Sequence, residues 1–154
     1  MTPARLRGVS ASDISTAAPI RVVFDTNIVV ALLVFADPAL RGLSERWARG
    51  SVVAIADDET LAELDRVLRY PEMKLDEARA LGISRLYRER CVKIQADAPA
   101  VPWLPQCRDP DDQKFLLLAH HGAASWVLTR DKALLAIRKG LPFAVTLPEA
   151  LPYS

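Results

Sequence analysis

Apolar residues along the chain fall into short continuous runs, separated by longer stretches with helical spacing. Ile20 to Phe24 (IRVVF) is a short β-branched run, and Ser51 to Ala56 (SVVAIA) and Ser125 to Thr129 (SWVLT) have the same character. Ala144 to Leu147 is a shorter example. Runs of this kind suit strands buried on both faces of a parallel sheet. Between them, Asn27 to Arg49 reads as helix with an interruption near Asp37-Pro38, where Pro38 opens a second helix after an Asp cap. Asp57 or Asp58 caps the next helix, which runs to about Tyr70 and is closed by Pro71. Residues 75 to 95 carry a helical pattern, with Gly82-Ile83-Ser84 as the place for a break. Pro99, Pro102 and Pro105 predict a stiff, extended connection. Asp109-Pro110 starts a helix that reaches about His121 and stops at Gly122. Asp131 caps a last helix to Lys139, ended by Gly140. This alternation predicts a three-layer α/β/α sandwich around a central, mostly parallel sheet.

Length and composition fit that picture. The chain has 154 residues, 51% hydrophobic and 25% charged, which points to one folded domain and away from disorder. Residues 1–19 read as a flexible leader of small and polar residues, leaving 20–154 as the domain. The net charge of +1 excludes a histone-like or tail-driven nucleic-acid binder, although a local basic rim can still bind phosphate. Cys91 and Cys107 form no CxxC pair and no zinc spacing, so they read as ordinary thiols of a reducing compartment. The leader contains no apolar signal core. The longest apolar run, Ile28 to Ala36, is too short for a bilayer, which needs about 20 residues. The expectation is a cytoplasmic protein with no membrane partner.

The chemistry lies in the carboxylates. Asp25 directly follows the first apolar strand, and Asp131 lies just beyond SWVLT. Both positions suit a helix cap, and both lie where open parallel sheets place their sites. Asp109, Asp111 and Asp112 crowd one turn of RDPDDQKF. Asp109 fits the cap, and Asp112 shares the inward side of Phe115 and Leu116. In DDETLAELDRVLRY the apolar stripe is Leu61, Leu64, Val67 and Leu68. Glu63 and Asp65 flank it on opposite edges, and helical geometry does not choose between them. Two unit charges about 4 Å apart repel by about 4 kcal/mol at an effective dielectric of about 20. Carboxylates gathered in one crevice therefore stay partly protonated or recruit a cation, and oxygen ligands alone suit Mg²⁺ or Mn²⁺. His120 and His121 are adjacent, face apart on a helix and read as surface or packing residues.

RVVFDTNIVV, ETLAELDRVL, CRDPDDQKFLLLA and WVLTRDKALL, in this order across residues 20 to 147, resemble the motifs of PIN-domain proteins. Within that family they are similar to the toxin components of bacterial toxin–antitoxin pairs. The resemblance implies that Asp25, Glu63, Asp112 and Asp131 are catalytic and metal-binding, and so selects Glu63 over Asp65. It makes Thr26, Asn27, Asp109 and Thr129 site-lining groups. Arg108, Arg130 and Lys132, with Arg21 and Arg41, are candidate phosphate contacts. The implied reaction is hydrolysis of RNA phosphodiesters with one or two Mg²⁺ or Mn²⁺ ions, Asp25 and Asp131 binding directly. Ala133 stands where many relatives carry another acid. A cognate antitoxin blocking the acidic crevice is a further implication. So is a homodimer formed through the apolar helices after Asn27 or around Leu81. The rival readings are a non-catalytic nucleic-acid- or partner-binding module on the same scaffold, a haloacid-type phosphatase and a dinucleotide-binding enzyme. The phosphatase would need an Asp at Asn27, and no Gly-rich turn follows the first strand.

Overall fold

The computed structural model describes residues 18–95, 101–137 and 139–152. The expected leader, apart from its last two residues, lies outside the described residues, as does Pro99. Among the described residues, five strands are interleaved with six α-helices: β1 (Ile20–Phe24), α1 (Thr26–Leu33), α2 (Arg41–Arg49), β2 (Val52–Ala56), α3 (Asp58–Leu68), α4 (Glu77–Glu89), β3 (Cys91–Lys93), α5 (Gln113–His121), β4 (Trp126–Leu128), α6 (Lys132–Leu135) and β5 (Ala144–Thr146). Single 3₁₀ turns, each opened by a proline, precede α2 at Pro38–Leu40 and α5 at Pro110–Asp112.

The strands lie in the order β3-β2-β1-β4-β5, and every pair is parallel. Val22 pairs with Trp126 and Ile20 with Val52. The chain builds outward from β1 on one side, then returns to build outward on the other. The reversal falls between β1 and β4, and the crevice beyond the carboxyl ends of such strands is where open α/β sheets take ligands.

Two cores flank the sheet, because successive strand side chains point to opposite faces. Val22 and Phe24 of β1, with Val52, Ala54 and Ala56 of β2, pack under helices α1 to α4. Val23, Ile55 and Val127 face the other way, against Phe115, Leu116, Leu118 and Ala119 of α5 and Leu134 of α6. This is the three-layer sandwich that the alternation predicts. The apolar residues of α1 (Ile28, Val29, Val30, Ala31 and Leu32) are core, whereas Leu81 of α4 is exposed.

Three local expectations are corrected. The helical pattern of residues 75 to 95 ends at Glu89, and Cys91–Lys93 form an edge strand instead. Its pairing satisfies the outer backbone groups of β2: Ala54 is in register with Cys91, and the Ile94 amide donates to the Ala56 carbonyl at 2.9 Å. The alternative would leave those β2 groups without ladder partners. No break occurs at Gly82. A helical glycine costs about 1 kcal/mol, less than the burial of Ala80, Ile83 and Tyr87 on the same helix returns. Helix α6 is a single turn that ends well before Lys139, because the chain must come back to pair β5 with β4. Among the described residues no single helix is long and apolar enough to cross a membrane.

Candidate functional site

Asp25 stands at the carboxyl end of β1, where its amide donates to the Leu128 carbonyl of β4 at 3.0 Å. Its buried carboxylate accepts the hydroxyl hydrogen of Thr129 at 2.7 Å. Thr129 is fully buried just past β4, and the same hydroxyl oxygen accepts the Asp131 amide at 3.0 Å. One threonine thus ties the two strand-end acids into a single unit. Asp131 also caps α6, accepting the Ala133 amide at 2.8 Å. The cap and site readings of this residue are therefore compatible.

Asp112, half-buried at the junction of its 3₁₀ turn with α5, completes the group. Burial, and then the negative charges of Asp131, Asp25 and Asp109, push its carboxyl up to about 6, and a hydrogen bond with Asp131 favours the protonated form further. Asp25 is raised by burial as well. The Thr129 hydrogen bond opposes that shift, and the charges of Glu63 and Asp131 add to it. Three aspartates from three distant stretches of chain are therefore electrostatic neighbours at the switch point of the sheet. A sequence profile described as the PIN domain matches residues 21–133, well over half of the chain. The chain belongs to the PIN domain family. PIN domains are typically nucleases. A comparison with curated proteins finds no match.

In this PIN domain Glu63 and Asp65 leave α3 in different directions. Glu63 accepts the Thr26 hydroxyl at 2.5 Å, beside Asp25. Asp65 instead accepts from Ser84 of α4 at 2.5 Å and pairs with Arg88 at 2.8 Å. The helix pattern alone could not separate them, because both residues border the same apolar stripe. Asp109 is exposed and caps its turn by accepting the Asp111 amide at 3.0 Å, and Asp111 and Asn27 are exposed too.

The basic candidates divide. Arg108 and Lys132 are exposed at the ends of the loops that carry Asp112 and Asp131. Arg130 is exposed but paired with Asp37 at 2.9 Å and Glu149 at 3.4 Å. Arg21 does not join the acids. Its guanidinium donates to the Gly122 carbonyl at 3.1 and 2.8 Å, at the amino end of the sheet, where it closes the end of α5. Arg41 lines a groove of about 240 Å³ on the α1–α2 side, with Leu32 and Asp37. His120 packs edge-on against Trp103, at the opposite end of α5 from Asp112.

Sequence reasoning missed Lys114. Its side chain is 7% exposed, and its ammonium meets Glu63 at 2.5 Å and the Asp111 carbonyl. A signal was present: a lysine in the first turn of an apolar helix sits at the end where the helix dipole disfavours a cation.

Among the described residues, no group of three or more His, Cys, Asp or Glu side chains is arranged to hold a metal ion. The chemistry of the donor set nevertheless fits a hard divalent ion. Its side-chain donors are oxygens only, and the carboxyl groups of Asp25 and Asp112 are held against ionisation by burial and by neighbouring negative charge, which a cation relieves.

Proposed function

We propose that this PIN domain is a metal-dependent endoribonuclease that hydrolyses RNA phosphodiester bonds, with Asp25, Glu63, Asp112 and Asp131 as its acidic set. The observation that carries this reading is the meeting of Asp25, Asp112 and Asp131 at the β1–β4 switch point, where burial first, and then the neighbouring negative charges, push Asp112 up to about 6. Bound Mg²⁺ or Mn²⁺ would neutralise charge on the phosphate and lower the pKa of a bound water. Asp25 and Asp131 would be direct ligands, with Thr129 fixing both, and Asp112 would complete the set. Glu63, held by Thr26, would orient the attacking water by accepting its hydrogen bond. Arg108, Arg130 and Lys132 would receive the neighbouring phosphates. Hydrolysis of RNA rather than DNA rests on the family resemblance.

The same resemblance supports a cytoplasmic role as the toxin of a toxin–antitoxin pair. A basic antitoxin segment would suit an acidic crevice, and Leu81 and Leu86, exposed on α4, are available to a homodimer. The deciding experiment is cleavage of single-stranded RNA with Mn²⁺ and with EDTA. The expected result is cleavage with Mn²⁺ alone, reduced at least about 100-fold in Asp25→Asn. Binding of RNA without cleavage would favour the non-catalytic module.

A further inference from the structure

Lys114 sits where two electrostatic costs coincide. It lies in the first turn of α5, at the positive end of the helix dipole. Its side chain is 7% exposed, and a buried ammonium is costly unless paired. Its partner is Oε1 of Glu63 at 2.5 Å, and it also donates to the Asp111 carbonyl. The other oxygen of Glu63, Oε2, accepts from the Thr26 hydroxyl at 2.5 Å. Arg66 is the one other cation near Glu63 among the described residues, at 3.9 Å and largely exposed. Each carboxylate oxygen thus has its own partner, and the charge of Glu63 is offset by a buried cation.

An acid whose task is to add negative charge for a metal ion gains nothing from such a partner. An acid that must present a lone pair in one direction does. We infer that Lys114 is a positioning residue: with Thr26 it clamps Glu63 as an oriented, charge-compensated acceptor for water, while Asp25, Asp112 and Asp131 carry the divalent cation. This rests on the nuclease reading and assigns a division of labour within it.

The test measures Mn²⁺ binding by electron paramagnetic resonance, together with steady-state cleavage of single-stranded RNA, on the full chain and three variants. Removing the cation in Lys114→Met frees the charge of Glu63, so Mn²⁺ binds about tenfold tighter. At the same time kcat falls about 100-fold with KM within about twofold, because orientation is lost in the reacting complex. Lys114→Arg keeps the charge and retains the wild-type Mn²⁺ affinity. Thr26→Val removes the other half of the clamp without changing charge, so it lowers kcat about tenfold and leaves Mn²⁺ affinity unchanged. A lysine that served stability alone would weaken binding and turnover together. Unchanged or weaker Mn²⁺ binding by Lys114→Met, or an unchanged kcat, overturns the inference. If circular dichroism shows Lys114→Met unfolded, Thr26→Val decides, and wild-type kcat there overturns the clamp. A wild-type chain that binds no Mn²⁺ removes the nuclease reading itself, and the clamp with it.

Discussion

Asp112 shows what burial, and then crowding by other acids, does to a single carboxyl group. Its folded value of about 6, against an ordinary 3.8, means that the native protein keeps a proton that the unfolded chain has already lost. Stability then falls as pH rises from about 4 to about 6, and the loss is complete above that window. Asp25 is shifted in the same direction and contributes with the same sign. Asp112→Asn therefore melts about 3 °C above wild type at pH 7 in EDTA, and the difference closes at pH 4. On the proposed metal-dependent reading, saturating Mn²⁺ at pH 7 should reverse the order, because only wild type would gain the full binding energy. Melting curves at the two pH values check this, and a difference that ignores pH would show that ionisation of Asp112 is not its cause.

At the scale of elements, α5 is the lever between core and site. Asp112 lies at its start and Gly122 at its end. The φ of Gly122 is −88°, which any residue adopts, so its conformation does not demand glycine. Closeness does: a Cβ there would meet Ile55 Cγ2 of β2 at 2.8 Å and the Leu118 carbonyl oxygen at 3.0 Å. Gly122→Ala should lower unfolding free energy by about 1–3 kcal/mol, read from urea denaturation. It should also reduce kcat, since α5 must tilt off β2 and carry Asp112 with it. Full stability would mean that Ile55 yields without moving the helix. Sequence marks Gly122 as a helix stop, but the reason for it is an approach of two elements that no local pattern records. The edge strand β3 escapes the pattern similarly. Three residues after a helix have too few alternating positions to declare themselves, and pairing with β2 settles their conformation.

For the whole molecule, a net charge of +1 and an acidic crevice mean that, on the proposed ribonuclease reading, RNA would be attracted by a few cations around the rim. Arg130 already has Asp37 and Glu149 beside it, whereas Arg108 and Lys132 are both exposed beside the site loops. Replacing both, as Arg108→Ala with Lys132→Ala, should raise KM for single-stranded RNA about tenfold with kcat within about twofold. The slope of log affinity against log salt should drop by about 1.4, for two lost phosphate contacts. An unchanged slope would place the RNA on another face.

The layered α/β/α order, the strand-end positions of Asp25 and Asp131, and the inward Asp112 were legible from residue types alone. Apolar run length, caps and helical period are local properties, and they survive into the fold because each run must bury its own face. Helical period left Glu63 and Asp65 equivalent, and only tertiary structure shows that Glu63 turns toward Thr26 while Asp65 turns toward α4; it alone decided that Thr129 joins two acids, that Arg21 serves the far end of the sheet, and that Lys114 lies on Glu63. These are contacts between residues far apart in the chain. Their energies depend on which elements pack together and how closely, and periodicity along a single segment carries no information about that.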